Sequence, residues 1–215
     1  QSSMQDFEAT AGRELSRSSV LMAPIDTRIF CPPENPTSGH TILFTGRYND
    51  RRKDVATLIK AISIVRRQIA EAKLVLIGES PPLHELSSLV AGLGLDDAVE
   101  FLSWVDRTGL VKHYQSARVL AIPSRQEGLC ISGLEAMACG LPVVSTQCGG
   151  PEAYVQDGKN GFLVPVKDHE AMAKALTYVL SDEEACRSMS IAARKFVLDH
   201  CGVDAFKAKV TEVSE

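Results

Sequence analysis

With 215 residues, 45 % of them hydrophobic and 23 % charged, the chain has ample material for the core of one large domain with flanking pieces. A formal net charge of −4, a pI near 5.8 and an aromatic content of 6 % give no general affinity for nucleic acid or anionic membrane, and little surface for stacking single strands. No apolar run approaches the ~18 residues of a spanning helix and no signal-peptide pattern is visible, so a soluble, cytoplasmic chain is expected, with peripheral membrane attachment left to any portion outside this sequence.

Residues 1–20 are polar and rich in Ser, Gln, Glu and Arg, and read as an appendage without a core face. Residues 21–40 read as a linker, because Pro32, Pro33 and Pro36 fix φ and remove backbone donors. From residue 41, short apolar runs at 41–45, 73–77, 99–102, 119–122, 143–145 and 162–164 predict strands. Helical patterns alternate with them. The first places Val55, Leu58, Ile59, Ile62 and Val65 on one face; others cover 83–93, 107–116, 134–139, 169–180 and 183–200. Alternation of this kind predicts an α/β domain over 41–200, a Rossmann-like parallel sheet with right-handed crossovers and helices on both faces. Ligands of such sheets bind outside the carboxyl ends of the strands, where Gly46, Gly78, Ser103, Pro123 and Ser145 fall. Within 201–215, residues 206–213 read as a last helix with no core partner in this sequence.

Two groups of side chains converge on that edge. After the first strand come Gly46-Arg47 and Arg51-Arg52-Lys53, a basic loop able to meet the negative charge of a departing diphosphate. After the fourth come Glu127 and Glu135, eight residues apart across a turn that opens a helix. First-turn amides of a helix attract an anion, and the two carboxylates would accept from hydroxyl groups on either side of it. A nucleoside diphosphate sugar has that order of groups. Cys130 lies in the turn and reads as structural rather than nucleophilic, since no histidine is near it in sequence. The six cysteines include no C-x-x-C pair, and the five histidines lack ligand spacing, so no metal site is expected. A phosphate loop is absent, and Gly92-Leu-Gly94 lacks the third glycine of a dinucleotide fingerprint, which removes the main support for ATPase and dehydrogenase chemistry.

The words around these residues occur together and in order: Thr45-Gly-Arg47 with Arg52-Lys53, Leu76-Ile-Gly78, Phe101-Leu102, Pro123-Ser124, Glu127-x7-Glu135, Ala136-Met-Ala-x-Gly-x-Pro-Val-Val144, Gly149-Gly-Pro-Glu152 and Asp157-Gly-x-x-Gly161. Over roughly residues 20–200 the chain resembles the second domain of the family 4 retaining glycosyltransferases, which have the GT-B fold. The resemblance implies that Arg47 and Lys53 hold the diphosphate, that Glu127 contacts the donor sugar, and that Glu135 binds the ribose hydroxyls. It further implies that backbone at Gly46, Gly128, Leu129, Cys130 and Ile131 meets the sugar and diphosphate, and that the strand end at Leu102 holds the base, with Trp104 either packed under the loop, the favoured reading, or stacked on the base. Two departures stand out: Asp54 occupies a position where the family has glycine, and the loop from Tyr48 to Arg52 is one residue longer than usual.

The activity implied is transfer of a sugar, with retention, from a nucleoside diphosphate sugar to a sugar, lipid or small-molecule acceptor, without a metal or other cofactor. The acceptor site would lie on a preceding Rossmann-like domain, of which residues 1–20 would be the tail, unless they are foreign to the native chain. The isolated fragment is then expected to be inactive, and the last helix to return to that domain. Two alternatives stay open, a non-catalytic nucleotide-sugar module and part of a GT-B sugar-nucleotide 2-epimerase.

Overall fold

The computed structural model describes residues 22–35, 38–79 and 81–214; the tail expected at 1–20 lies outside them. Six strands, β1 (Thr41–Thr45), β2 (Lys73–Ile77), β3 (Val99–Leu102), β4 (Val119–Ile122), β5 (Val143–Thr146) and β6 (Gly161–Val164), form one parallel sheet in the order β3-β2-β1-β4-β5-β6. Between them run α1 (Val55–Val65), α2 (His84–Gly92), α3 (Arg107–Ser116) and α4 (Ile131–Ala138), followed by α5 (His169–Ser181), α6 (Glu183–His200) and α7 (Val203–Ser214).

Successive side chains of a strand point to opposite faces, and here each face has its own core. Ile42 and Phe44 of β1 join Leu58, Ile62, Val90, Leu176 and Val179 from α1, α2 and α5. Leu43 joins Tyr114, Leu134, Met137 and Val197 from α3, α4 and α6. Both faces are therefore covered, which is why the strands read as continuous apolar runs rather than alternating ones. The stretch 22–35 is held against the second core: Ile25 and Phe30 are buried, the Ile25 N–H donates to the Cys201 carbonyl at 2.7 Å, and the Arg194 guanidinium donates to the carbonyls of Thr27 and Phe30 at 3.0 and 2.7 Å.

Boundaries shift where backbone geometry outweighs periodicity. α4 starts at Ile131 rather than 134 because Cys130, at φ 61°, turns the chain directly into it, while Ser132 and Gly133 hide the start from any apolar pattern. α7 starts at Val203, directly after Gly202, rather than at 206. Two 3-10 turns, Arg51–Lys53 and Gly150–Ala153, were not expected from the sequence. Among the described residues no helix is long and apolar enough to cross a membrane.

Candidate functional site

β1 lies between β2 and β4, so the loop leaving β1 and the loop leaving β4 open in opposite directions. Between them lies the crevice of a topological switch point, the usual ligand site of open parallel sheets. Gly46 starts the first loop at φ 142°, a value open to glycine, and its N–H donates to the Ile77 carbonyl at 2.9 Å. Asp50 then organises the basic residues: its carboxylate accepts from the Arg52 backbone and guanidinium at 2.9 and 2.8 Å and stands 3.2 Å from the Arg47 guanidinium. The Arg52 hydrogen bonds hold the Asp50 carboxyl down at about 2, so it remains an anion at any working pH.

Asp54 ends this loop at φ 45°, in the left-handed region. A short polar side chain tolerates that region better than most, so the residue takes the backbone conformation that a glycine would supply. Its carboxylate, 4 % exposed, accepts from Arg125 Nε and Nη2 at 3.0 and 3.1 Å, and the Arg125 N–H donates to the Arg52 carbonyl at 2.7 Å. The β1 and β4 loops are thus clamped together. Sequence reasoning treated Asp54 only as a departure from the family and missed its partner.

The clamp places Lys53 Nζ 2.7 Å from Glu127 Oε1, with the two side chains only 20 % and 10 % exposed. The Ser124 hydroxyl, fully buried, donates to the same oxygen at 2.5 Å. The Glu127 backbone is fixed as well, its N–H donating to the Cys148 carbonyl at 2.7 Å and its carbonyl accepting from the Gly150 N–H at 3.1 Å. Gly150 permits that approach, since a Cβ there would stand 2.2 Å from the Gly128 carbonyl oxygen. Arg47, Lys53, Glu127 and Gly128 line one open cavity of about 300 Å³ together with Asp50, Arg52 and Gln126.

Past Gly128, Leu129 and Cys130 are half-buried and Ile131 is 50 % exposed. The Cys130 carbonyl accepts from the buried Tyr154 hydroxyl at 3.0 Å, which holds the turn in place. Burial raises the Cys130 thiol above its ordinary range, so it stays protonated near neutrality and is a poor nucleophile. α4 begins without a side-chain cap on its first amides. One turn in, Glu135 Oε2 accepts from the Tyr114 hydroxyl at 3.0 Å. Desolvation raises the Glu135 carboxyl above the usual glutamate value, against the opposing effects of the Tyr114 hydrogen bond and the Arg107 charge.

The remaining expected residues lie at the edge strand β3. The Leu102 carbonyl accepts from the Gly78 N–H at 3.1 Å. Trp104 is 78 % exposed, so the expectation that it packs under the loop is corrected: it follows β3, the edge strand of the sheet among the described residues, and projects into solvent. A larger cleft, about 470 Å³, lies between Pro32, Arg118, Pro142 and Arg187. Arg118 and Pro142 immediately precede β4 and β5, so it sits at the amino ends of the strands, and no expected site residue lines it. No group of three or more His, Cys, Asp or Glu among the described residues is arranged to hold a metal ion.

This architecture is the C-terminal Rossmann-like domain of the GT-B glycosyltransferases. Sucrose-phosphate synthase from Thermosynechococcus elongatus superimposes with a TM-score of 0.83 at 26 % identity, over 98 % of this chain and 55 % of that one. The C-terminal domain of a glycosyl transferase group 1 family protein from Francisella tularensis gives 0.75 at 24 % identity, over 83 % of this chain and 99 % of that one. An Anabaena protein solved in complex with UDP gives 0.86 at 20 % identity, over 98 % of this chain and 60 % of that one.

A family model described as glycosyl transferases group 1 matches residues 27–196, and the chain belongs to that family. It is 35 % identical over 156 residues to a GDP-mannose-dependent alpha-(1-6)-phosphatidylinositol monomannoside mannosyltransferase from Mycolicibacterium smegmatis, a match covering 69 % of this chain and 41 % of the relative. It is 37 % identical over 155 residues to a D-inositol 3-phosphate glycosyltransferase from Corynebacterium urealyticum, covering 69 % and 37 %. The chain thus spans about two fifths of the length of these curated relatives.

Proposed function

We propose that the chain is the donor-binding domain of a retaining glycosyltransferase that moves a sugar from a UDP- or GDP-linked donor to an acceptor held by a domain outside this sequence. The observation that carries this is the meeting of Lys53 and Glu127 across the switch point, 2.7 Å apart and mostly buried, in the same cavity as Arg47 and Gly128. In this arrangement the diphosphate lies against Arg47, Lys53 and the amides from Gly128 to Ile131. Glu127 faces the sugar and Glu135 the ribose.

As the anomeric C–O bond breaks, its electron pair stays on the diphosphate, and fixed cations and helix amides stabilise that growing charge more than the ground state. The acceptor oxygen bonds to the anomeric carbon, and its proton leaves with the nucleoside diphosphate. The exposed strand end around Leu102 and Trp104 is left for the base. No cofactor is required by this chemistry, and the nucleotide-sugar pool of the cytoplasm would supply the donor.

Titration calorimetry of the chain with UDP, GDP and ADP tests the site. At least one should bind weakly, and Glu135→Ala should weaken it tenfold or more, since hydrogen bonds to a charged acceptor are worth about 1.5–3 kcal/mol each. Absence of heat with all three at millimolar ligand, or unchanged affinity in the variant, would overturn the assignment.

A further inference from the structure

Glu135 does not stand alone. Tyr114, on α3 and fully buried, packs edge-on against Phe30 with ring centroids 6.2 Å apart. Its hydroxyl lies 3.0 Å from Glu135 Oε2 and 3.3 Å from Thr45 Oγ1, at the carboxyl end of β1. A phenol has one proton to give. Since the carboxylate can only accept, Tyr114 donates to Glu135, and Thr45 donates to Tyr114. A directed chain of hydroxyls therefore runs from the strand that forms the switch point to the carboxylate on the facing helix. Among the described residues no other hydrogen-bond donor reaches that carboxylate.

Side-chain freedom makes this arrangement consequential. A glutamate on a helix has three rotatable bonds, and one partly desolvated beside an apolar core gains by swinging toward water. The bond to Tyr114 opposes that by fixing Oε2, which leaves Oε1 as the oxygen with no donor among the described residues. Tyr114 itself is fixed by its ring packing and by Thr45, so the orientation is transmitted from the sheet.

We infer that Tyr114 is a positioning residue for ribose recognition: by holding Glu135 Oε2, it presents Oε1 to the hydroxyls of a ribonucleoside diphosphate and so sets the preference for ribose over deoxyribose. This rests on the assignment of Glu135 to the ribose made above. Tyr114 touches no ligand atom in this scheme and acts through the carboxylate. The hydroxyl-lacking ligand pays for an unmet acceptor in the site, and that penalty depends on the acceptor being aimed.

The test is calorimetric binding of UDP and GDP beside 2′-deoxy-UDP and 2′-deoxy-GDP, to the unaltered chain, Tyr114→Phe and Thr45→Val. The unaltered chain should prefer the ribo ligand. Tyr114→Phe should lose about three- to tenfold in affinity for the ribo ligand, the effect of one hydrogen bond, and almost none for the deoxy ligand, so that the two affinities converge. Thr45→Val leaves the phenol in place and should produce a smaller change of the same pattern, which keeps the inference open to test if Tyr114→Phe folds poorly. Equal losses for both ligands, or no loss, would overturn the positioning role while leaving Glu135 as the ribose ligand. No ribo preference in the unaltered chain, or no binding at all, would overturn the Glu135 assignment and the inference together.

Discussion

Gly133 sits inside α4, where alanine would ordinarily be favoured by about 1 kcal/mol. The surroundings reverse that expectation. A Cβ at Gly133 would stand 2.1 Å from the Tyr154 hydroxyl and 2.8 and 2.9 Å from two atoms of its ring, and Tyr154 is 1 % exposed. Overpacking of this kind costs about 1–3 kcal/mol. Displacing the ring also breaks the 3.0 Å hydrogen bond to the Cys130 carbonyl, worth about 0.5–1.5 kcal/mol. Set against the helix gain, Gly133→Ala should destabilise the chain by about 2 kcal/mol. At about 2–4 °C per kcal/mol for a domain of this size, that is a fall in Tm of about 4–8 °C. Thermal and urea denaturation measure it, with Tyr154→Phe as the control that removes only the hydroxyl, and with Gly133→Ala/Tyr154→Phe expected to be less destabilised than the sum of the single changes. A rise in Tm for Gly133→Ala would show that the turn before α4 is not held by Tyr154.

Glu135→Gln should raise thermal stability while weakening nucleotide binding, because the carboxyl's folded pKa is raised by desolvation. Its protonated form contributes stability that is full below the unfolded glutamate pKa and lost as pH rises through the raised value, so the advantage of Gln should be present at neutral pH and fade on acidification. Affinity of the unaltered chain for UDP or GDP should fall as pH drops through that same raised value, read by calorimetry across a pH series; a flat profile would contradict it. In an enzyme that joins this domain to an acceptor domain, as proposed, Arg47→Ala should lower kcat more than it raises donor KM, since its charge matters most as the diphosphate departs; steady-state kinetics showing only a raised KM would make it a ground-state binding residue. The chain alone should transfer no labelled sugar at saturating donor, because acceptor positioning can account for ~7–11 kcal/mol of barrier and needs a second surface.

The sheet was legible because a parallel sheet covered on both faces leaves short apolar runs in the sequence, and all six runs became strands within a residue of their expected ends. The basic loop and the two glutamates were legible from residue type, spacing and family resemblance. The connections between them were not. Asp54 reads in sequence as a misplaced acid, and only the fold reveals a left-handed residue whose carboxylate holds Arg125 from the facing loop. Tyr114 and Ser124 sit on or beside predicted elements and Tyr154 follows a 3-10 turn that was not expected, and the hydroxyl partners of all three are fixed by tertiary packing that no local pattern records. A glycine where family sequences expect it hints at a close approach, as at Gly150, without saying what approaches.

The most direct measurement is a crystal structure of the chain with UDP or GDP bound. The donor-site assignment predicts the diphosphate against the first turn of α4 between Arg47 and Lys53, the ribose hydroxyls on Glu135, and the base near Leu102. A nucleotide seated instead in the larger cleft at the amino ends of the strands, between Pro32, Arg118 and Arg187, with the Lys53–Glu127 crevice empty, would contradict it.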